Sequence, residues 1–229
     1  MSEEMGSAGT VEAFDRDGAR AEAAHALGTT RRGVLGLAGG TALGLLGGPA
    51  AAGASGDDEQ DDAIINYVLG LEYLQASFYT EAERLGALHE PFARQAHVVG
   101  AHERAHVAAL RKVLGAAAMK LPTFDFQGVT EDQDAFRRTA VAFEDLSVAA
   151  YKYEAPRIRS SEYLMAAIAI TSVEARHAAW IRRLAGAAPA ATAFDKSLPP
   201  KQVNEIVAST HFVVARPQMS AHRAPKFTG

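Results

Sequence analysis

The sequence predicts an all-α fold, a four-helix bundle with one long crossover between helices two and three and a C-terminal arm. Three observations carry this. Four stretches place apolar residues at the three-and-four spacing of a helix with one buried face, the connections between them run short, long, short, and the second helix pair repeats the first. The 229 residues are 48% apolar and 22% charged, a composition that can bury one sizeable core.

The first stretch, residues 58–85, carries Ile64, Ile65, Val68, Leu71, Leu74 and Phe78 on one face, and residues 86–90 form a short turn after it. The second, residues 91–117, opens on Pro91, which suits a first helical turn, and continues the period through Phe92, Ala96, Val99, Leu110 and Val113. Residues 118–130 contain Pro122 and Gly128, show no period and form the long connection. Such a segment can span ~43 Å when extended while a helix of about 25 residues is ~38 Å long, so the connection can return along the whole bundle. The third helix covers residues 131–154 and is bounded by Pro156. The fourth covers residues 161–185, with Ser161 as N-cap and Gly186 as its stop. No segment alternates β-branched residues over a length that demands a sheet. The bundle is thus assigned to residues 55–186, and residues 187–229 to a C-terminal arm that packs on it or is partly disordered.

Residues 1–54 read as an address. Arg31-Arg32 precede an apolar run, Gly33 to Gly48, that is diluted by seven glycines, and Ala52-Gly53-Ala54 has the small-residue pattern of a cleavage site before Ser55. The layout resembles a twin-arginine export signal, which implies the twin-arginine export machinery as a partner and a periplasmic or secreted mature chain. Sixteen diluted residues fall short of the ~20 apolar ones a spanning helix needs, so no stable membrane anchor is expected after cleavage. Removing this segment takes six acids and four bases from 27 and 23, leaving 21 and 19, a net charge of -2. A near-neutral chain predicts no nucleic-acid partner, and the absence of cysteine excludes disulfides, thiolate metal sites and lipidated cysteine anchors.

The duplication locates the chemistry. Leu71-Glu72-Tyr73-Leu74 and Tyr79 fall on Phe143-Glu144-Asp145-Leu146 and Tyr151 at an offset of 72, whereas Glu103, His106 and Arg111 fall on Glu174, His177 and Arg182 at an offset of 71. Each repeated Glu shares its face with apolar residues: Glu72 with Ile65 and Val68, Glu103 with Ala96 and Val99, Glu144 with Val141 and Val148, and Glu174 with Ala167 and Ile170. Four carboxylates on core faces would each cost several kcal/mol and repel one another, so a cation must compensate them. By the same repulsion, removing Glu103 is expected to leave the metal-free fold no less stable. Glu103/His106 and Glu174/His177 are Glu-x-x-His pairs, whose spacing stacks two ligands one turn apart. Asp145 is rotated ~100° and Glu154 ~280° from Glu144, so neither shares its face. Tyr79 and Tyr151 stand two turns beyond Glu72 and Glu144, about 10 Å along the axis and too far to be ligands. Core packing is their expected role, and their backward tilt also allows a hydrogen bond to the site or a radical relay. His97 and His102 lie off the Glu103 face and are expected at the surface; Trp180 is expected to pack.

Two Glu-x-x-His pairs with one Glu from each remaining helix resemble the dimetal-carboxylate bundles. On Asn66-Tyr67 through Leu74, Glu103-Arg104-Ala105-His106, Phe143-Glu144 and Glu174-Ala175-Arg176-His177, residues of about 60–210 are similar to the ferritin-like superfamily, most narrowly to the desiccation-related ferritin-like proteins of bacteria and plants. The tail Ala193-Phe194-Asp195, Leu198-Pro199 and the segment from Val203 to Val207 is similar to that group's C-terminal arm. The resemblance implies Glu72, Glu103, His106, Glu144, Glu174 and His177 as ligands of two divalent metal ions. An oxygen-rich set with two imidazoles suits Fe or Mn better than structural Zn, and folding before export would let the metal load in the cytoplasm, away from competing copper. The expected function is redox chemistry toward O₂, peroxide or Fe(II) in stress protection, as a ferroxidase, peroxidase or manganese-catalase-like activity, with a small oxidant or metal ion as partner. The alternative is a non-catalytic metal-binding desiccation or stress protein; cage storage of iron fits less well because the arm is unlike a short extra helix. The sequence leaves homo-oligomerisation open.

Overall fold

The computed structural model describes residues 56–215, and the proposed signal, with Arg31-Arg32 and the site before Ser55, lies outside them, as does the end of the C-terminal arm. In chain order the elements are α1 (Gly56–Leu85), α2 (Phe92–Leu114), β1 (Thr123–Phe124), α3 (Gln133–Glu154), α4 (Ser161–Leu184), α5 (Pro200–Ser209) and β2 (Val213–Ala215). The all-α bundle is as expected: α1 packs on α2, α3 on α4, and the two hairpins face each other. Among the described residues, no helix is long and apolar enough to cross a membrane.

Helix ends follow local chemistry. Asp132 caps α3 by accepting from the Ala135 N–H at 2.7 Å. For α4 the cap is Ser160, not Ser161: its hydroxyl accepts from the Tyr163 N–H at 3.4 Å, because Ser160 is the last residue with extended backbone. Pro91 likewise stands just before α2 instead of inside its first turn. Gly186 ends α4 with φ +76°, and the Ala187 N–H reaches back to the Arg182 carbonyl at 2.9 Å, a closure that favours glycine.

The crossover runs back along α1. Asn66 holds its start, donating to the Ala117 carbonyl at 3.0 Å and accepting from the Met119 N–H at 2.6 Å. Phe126 is buried against Phe78 midway, and Thr130 donates to Glu81 at 2.7 Å near the far end. The His89 N–H then donates to Gln133 at 2.9 Å, so α3 begins beside the α1–α2 turn. At the other end of the bundle Asp61 accepts from the Arg159 and Ser160 N–H groups at 3.0 and 2.6 Å, beside the α3–α4 turn. Helix α3 is therefore antiparallel to α1, and α4 to α2.

A two-stranded ladder accompanies the helices. The crossover carries β1, which pairs antiparallel with β2 of the tail, Phe124 opposite Val213. Strands of two and three residues are too short to produce a sequence alternation and exist only because the tail folds back onto the crossover. Within the described residues the arm packs on the bundle: the Leu198 N–H donates to the Ala149 carbonyl at 3.1 Å, Val203 and Val207 are buried, and Phe212 packs edge-on against Phe126 and Phe143.

The apolar core is in two parts. One gathers the C-terminal half of α1 with the starts of α2 and α3 around Phe78, Val99 and Phe136. The other gathers the start of α1 and the first half of α4 with the ends of α2 and α3 around Ile65, Leu110, Tyr151 and Ile170. The polar residues that recur in the two hairpins lie where these two clusters meet, so apolar side chains cover them toward both ends of the bundle.

Candidate metal centre

Each of the four bundle helices contributes to this junction. Glu72 of α1, Glu103 of α2, Glu144 of α3 and Glu174 of α4 are 0% exposed, while His106 and His177 are 8% and 3% exposed. The i, i+3 spacing puts His106 above Glu103 and His177 above Glu174, as the sequence predicts. The antiparallel register of α2 and α4 then adds what spacing within one helix could not. His106 Nδ1 lies 3.0 Å from Glu174 and 3.6 Å from its own Glu103, and His177 Nδ1 lies 3.0 Å from Glu103 and 3.6 Å from its own Glu174. Each imidazole is closer to the partner hairpin's carboxylate.

All six sequence-selected residues are thus brought together, in two overlapping groups. One atom each from Glu72, Glu103, His106 and Glu174 lie within 4.8 Å of one another, and so do one atom each from Glu103, Glu144, Glu174 and His177. Glu103 and Glu174 belong to both. The donor atoms converge without saturating each other: both Glu103 oxygens, Glu144 Oε2, Glu174 Oε1 and His177 Nδ1 are buried without an aligned hydrogen-bond partner. His177 Nδ1 is within ion-pair distance of carboxylates from three helices but is directed at none of them. Such orphaned acceptors are costly in a dry core and are satisfied by a cation placed between them. The donor set therefore fits divalent metal.

Residues 60–187 match the family described as the ferritin-like domain. The chain belongs to that family. No curated protein matches it. The ferritin-like domain spans the four helices and all six clustered residues, so the fold assignment and the buried site coincide.

Electrostatics sort the carboxylates of this ferritin-like centre. Burial, with the charges of Glu174 and Glu103, pushes the Glu72 carboxyl well above the usual range. Burial likewise raises Glu144 to about 7. Glu103 is the exception: burial opposes its charge, yet His106 and His177 on either side hold it well below the usual range. Burial also works against charge on His177, but Glu103 and Glu144 push it up to about 10. Without metal, then, the imidazoles carry protons and Glu103 is their counter-ion. The relief of repulsion expected on removing Glu103 belongs instead to Glu72 and Glu144.

The tyrosines do more than pack. Tyr79 donates to Glu144 Oε1 at 2.5 Å and Tyr151 to Glu72 Oε1 at 2.6 Å, each reaching across to the other hairpin. Because α1 and α3 are antiparallel, the tyrosine two turns beyond one glutamate arrives level with the other. Burial and the adjacent carboxylates push both phenols well above their ordinary range, so they remain donors.

His102 departs from expectation. Its Nδ1 lies 2.8 Å from His177 Nε2, and the two rings meet edge to edge, nearly coplanar, with centroids 5.1 Å apart. It is rotated ~100° from Glu103, but four residues before His106 it lies only ~40° from that ligand's face, a signal the sequence carried. Gln75, three residues after Glu72 on the same face, is buried with its amide 3.5 Å from Glu174. The remaining assignments agree with the sequence reading. His97 is exposed beside Glu83, Asp145 pairs with Arg182 at 2.9 Å, Glu154 pairs with Arg157 at 2.9 Å, and Trp180 packs on the core.

Proposed function

We propose that this ferritin-like chain is an exported dimetal protein in which Glu72, Glu103, His106, Glu144, Glu174 and His177 hold two divalent ions, Fe or Mn, and that it reduces O₂ or peroxide, or oxidises Fe(II), in stress protection. The observation that carries the reading is the sharing of Glu103 and Glu174 between two buried ligand groups. Two carboxylates common to both groups keep two ions adjacent, and four carboxylates with two neutral imidazoles balance two divalent charges. Paired redox-active ions supply two-electron chemistry at one place. The chain's own residues do the rest. Tyr79 and Tyr151 orient Glu144 and Glu72 and keep their phenolic protons, and the two apolar clusters limit water. Kinship to the desiccation-related group is supported by the motifs and the arm, and export by Arg31-Arg32 with Ala52-Gly53-Ala54.

The test is metal analysis of protein exported by its native host, followed by peroxide and Fe(II) turnover in the wild type and Glu174→Ala. Two Fe or Mn per chain with turnover that Glu174→Ala abolishes is the expected result. Two ions with no turnover would select the alternative, in which metal only neutralises the core and holds the fold. Less than one ion per chain would overturn both.

A further inference from the structure

We propose that His102 is a positioning residue that makes the two metal positions unequal, so that the ion held by Glu144 and His177 binds first. The inference rests on the dinuclear reading and concerns a residue outside the six ligands.

His177 presents Nδ1 to Glu103, Glu144 and Glu174, and Nε2 to His102 Nδ1 at 2.8 Å. An imidazole that ligates through one nitrogen keeps its proton on the other, and a hydrogen-bond acceptor there fixes both tautomer and ring orientation. In a His177 that gives its Nδ1 lone pair to the metal, Nε2 carries the proton and donates to His102 Nδ1, which is the acceptor the proposal assigns. The two rings are 19° from parallel with centroids 5.1 Å apart, so they meet edge to edge and nearly coplanar, with the N···N contact close to both ring planes. His102 is half-buried beside His177.

The duplicated hairpin supplies an internal control. At the offset that maps Glu103 on Glu174 and His106 on His177, His102 maps on Val173. By the repeat, Val173 holds in its hairpin the place that His102 holds beside His177. A valine side chain can accept no hydrogen bond, so the position held by Glu72 and His106 lacks the device that its twin has. The four helices and six ligands obey the pseudo-twofold repeat; this residue pair breaks it at the outer side of one ligand only.

The experiment titrates metal-free protein with Mn(II), following affinity by calorimetry and the ions by electron paramagnetic resonance. Wild type is expected to take two Mn(II) in resolved steps. His102→Val should weaken one step by about 10- to 100-fold, the range found when the outer partner of a ligating histidine is lost. His102→Asn, whose side-chain oxygen stands near the place of Nδ1, should restore most of it. Single-ligand backgrounds assign the step: with His106→Ala, the remaining Mn(II) should stay sensitive to His102→Val, and with His177→Ala it should not. Val173→His should draw the two steps together. Melting of each metal-free variant shows that it is folded. Two steps that His102→Val leaves unchanged, or that Asn fails to rescue, would overturn the positioning role while leaving the dinuclear centre intact. Failure of wild type to bind Mn(II) at all would instead overturn the centre on which it rests.

Discussion

Replacing Glu144 by Gln should stabilise the metal-free protein and weaken the metal-loaded one. The carboxyl is raised from 4.5 to about 7, chiefly by burial, and with one pH unit worth ~1.4 kcal/mol the charged form costs the fold about 3 kcal/mol. The sign follows from linkage. Below 4.5 the group is protonated in both states and costs nothing; the penalty grows as pH rises toward 7 and is complete above it. Gln keeps an oxygen to accept the Tyr79 hydrogen bond, so the substitution removes charge with little loss of contact. At about pH 8 the metal-free variant should melt roughly 6–12 °C above wild type, given ~2–4 °C per kcal/mol for a domain of this size, and at about pH 4 the two should coincide. Glu103→Gln should do the reverse, lowering the metal-free melting point, because His106 and His177 favour the Glu103 charge. With metal at ~100 times its Kd the wild type gains about 2.7 kcal/mol per ion, and both variants should gain less. The assay is circular-dichroism melting after chelation and after metal addition, across pH. Metal-free Glu144→Gln melting below wild type at high pH, or the two variants shifting in the same direction, would refute this account of the core charges.

Metal loading should release protons, because His177, raised to about 10, is protonated at neutral pH in the metal-free state and must be neutral to ligate. Calorimetry in two buffers of different ionisation heat measures this, and affinity should rise with pH; the stability His177 itself lends the metal-free fold is full below its ordinary 6.5 and is lost as pH rises through about 10. Tyr79→Phe and Tyr151→Phe should each destabilise the metal-loaded protein, in which Glu144 and Glu72 are ionised, by about 1.5–3 kcal/mol in denaturant, the worth of a hydrogen bond to a charged group, while still binding two ions; loss of an ion would make the phenol a ligand support of a stronger kind. Export should fail when Arg31 and Arg32 are both replaced by Lys, and the exported wild-type chain should begin at or near Ser55 by N-terminal sequencing.

Periodicity alone determined the four helices, and duplication, with the apolar company of each repeated Glu, the Glu-x-x-His spacing and the resemblance they carry, singled out Glu72, Glu103, His106, Glu144, Glu174 and His177. Both are properties of one helix at a time: which residues share a face, and which polar residue sits among apolar ones on it. The tertiary structure decided everything that depends on how far one helix is slid past another. That stagger set Tyr79 level with Glu144 and Tyr151 level with Glu72, although within its own helix Tyr79 is two turns from Glu72 and Tyr151 two turns from Glu144. It exchanged the imidazoles, bringing His106 closer to Glu174 and His177 closer to Glu103 than their own i, i+3 partners are. It turned His102 from an apparent surface residue into the partner of His177. It also separated Glu103, whose charge two imidazoles sustain, from Glu72 and Glu144, whose charges burial opposes. The short ladder of β1 and β2 was equally unreadable, since it joins a crossover to a tail some 90 residues away and neither strand is long enough to show a period. Axial stagger is fixed by the packing of side chains between helices, a sum over many weak contacts that leaves no spacing in the sequence of any one helix.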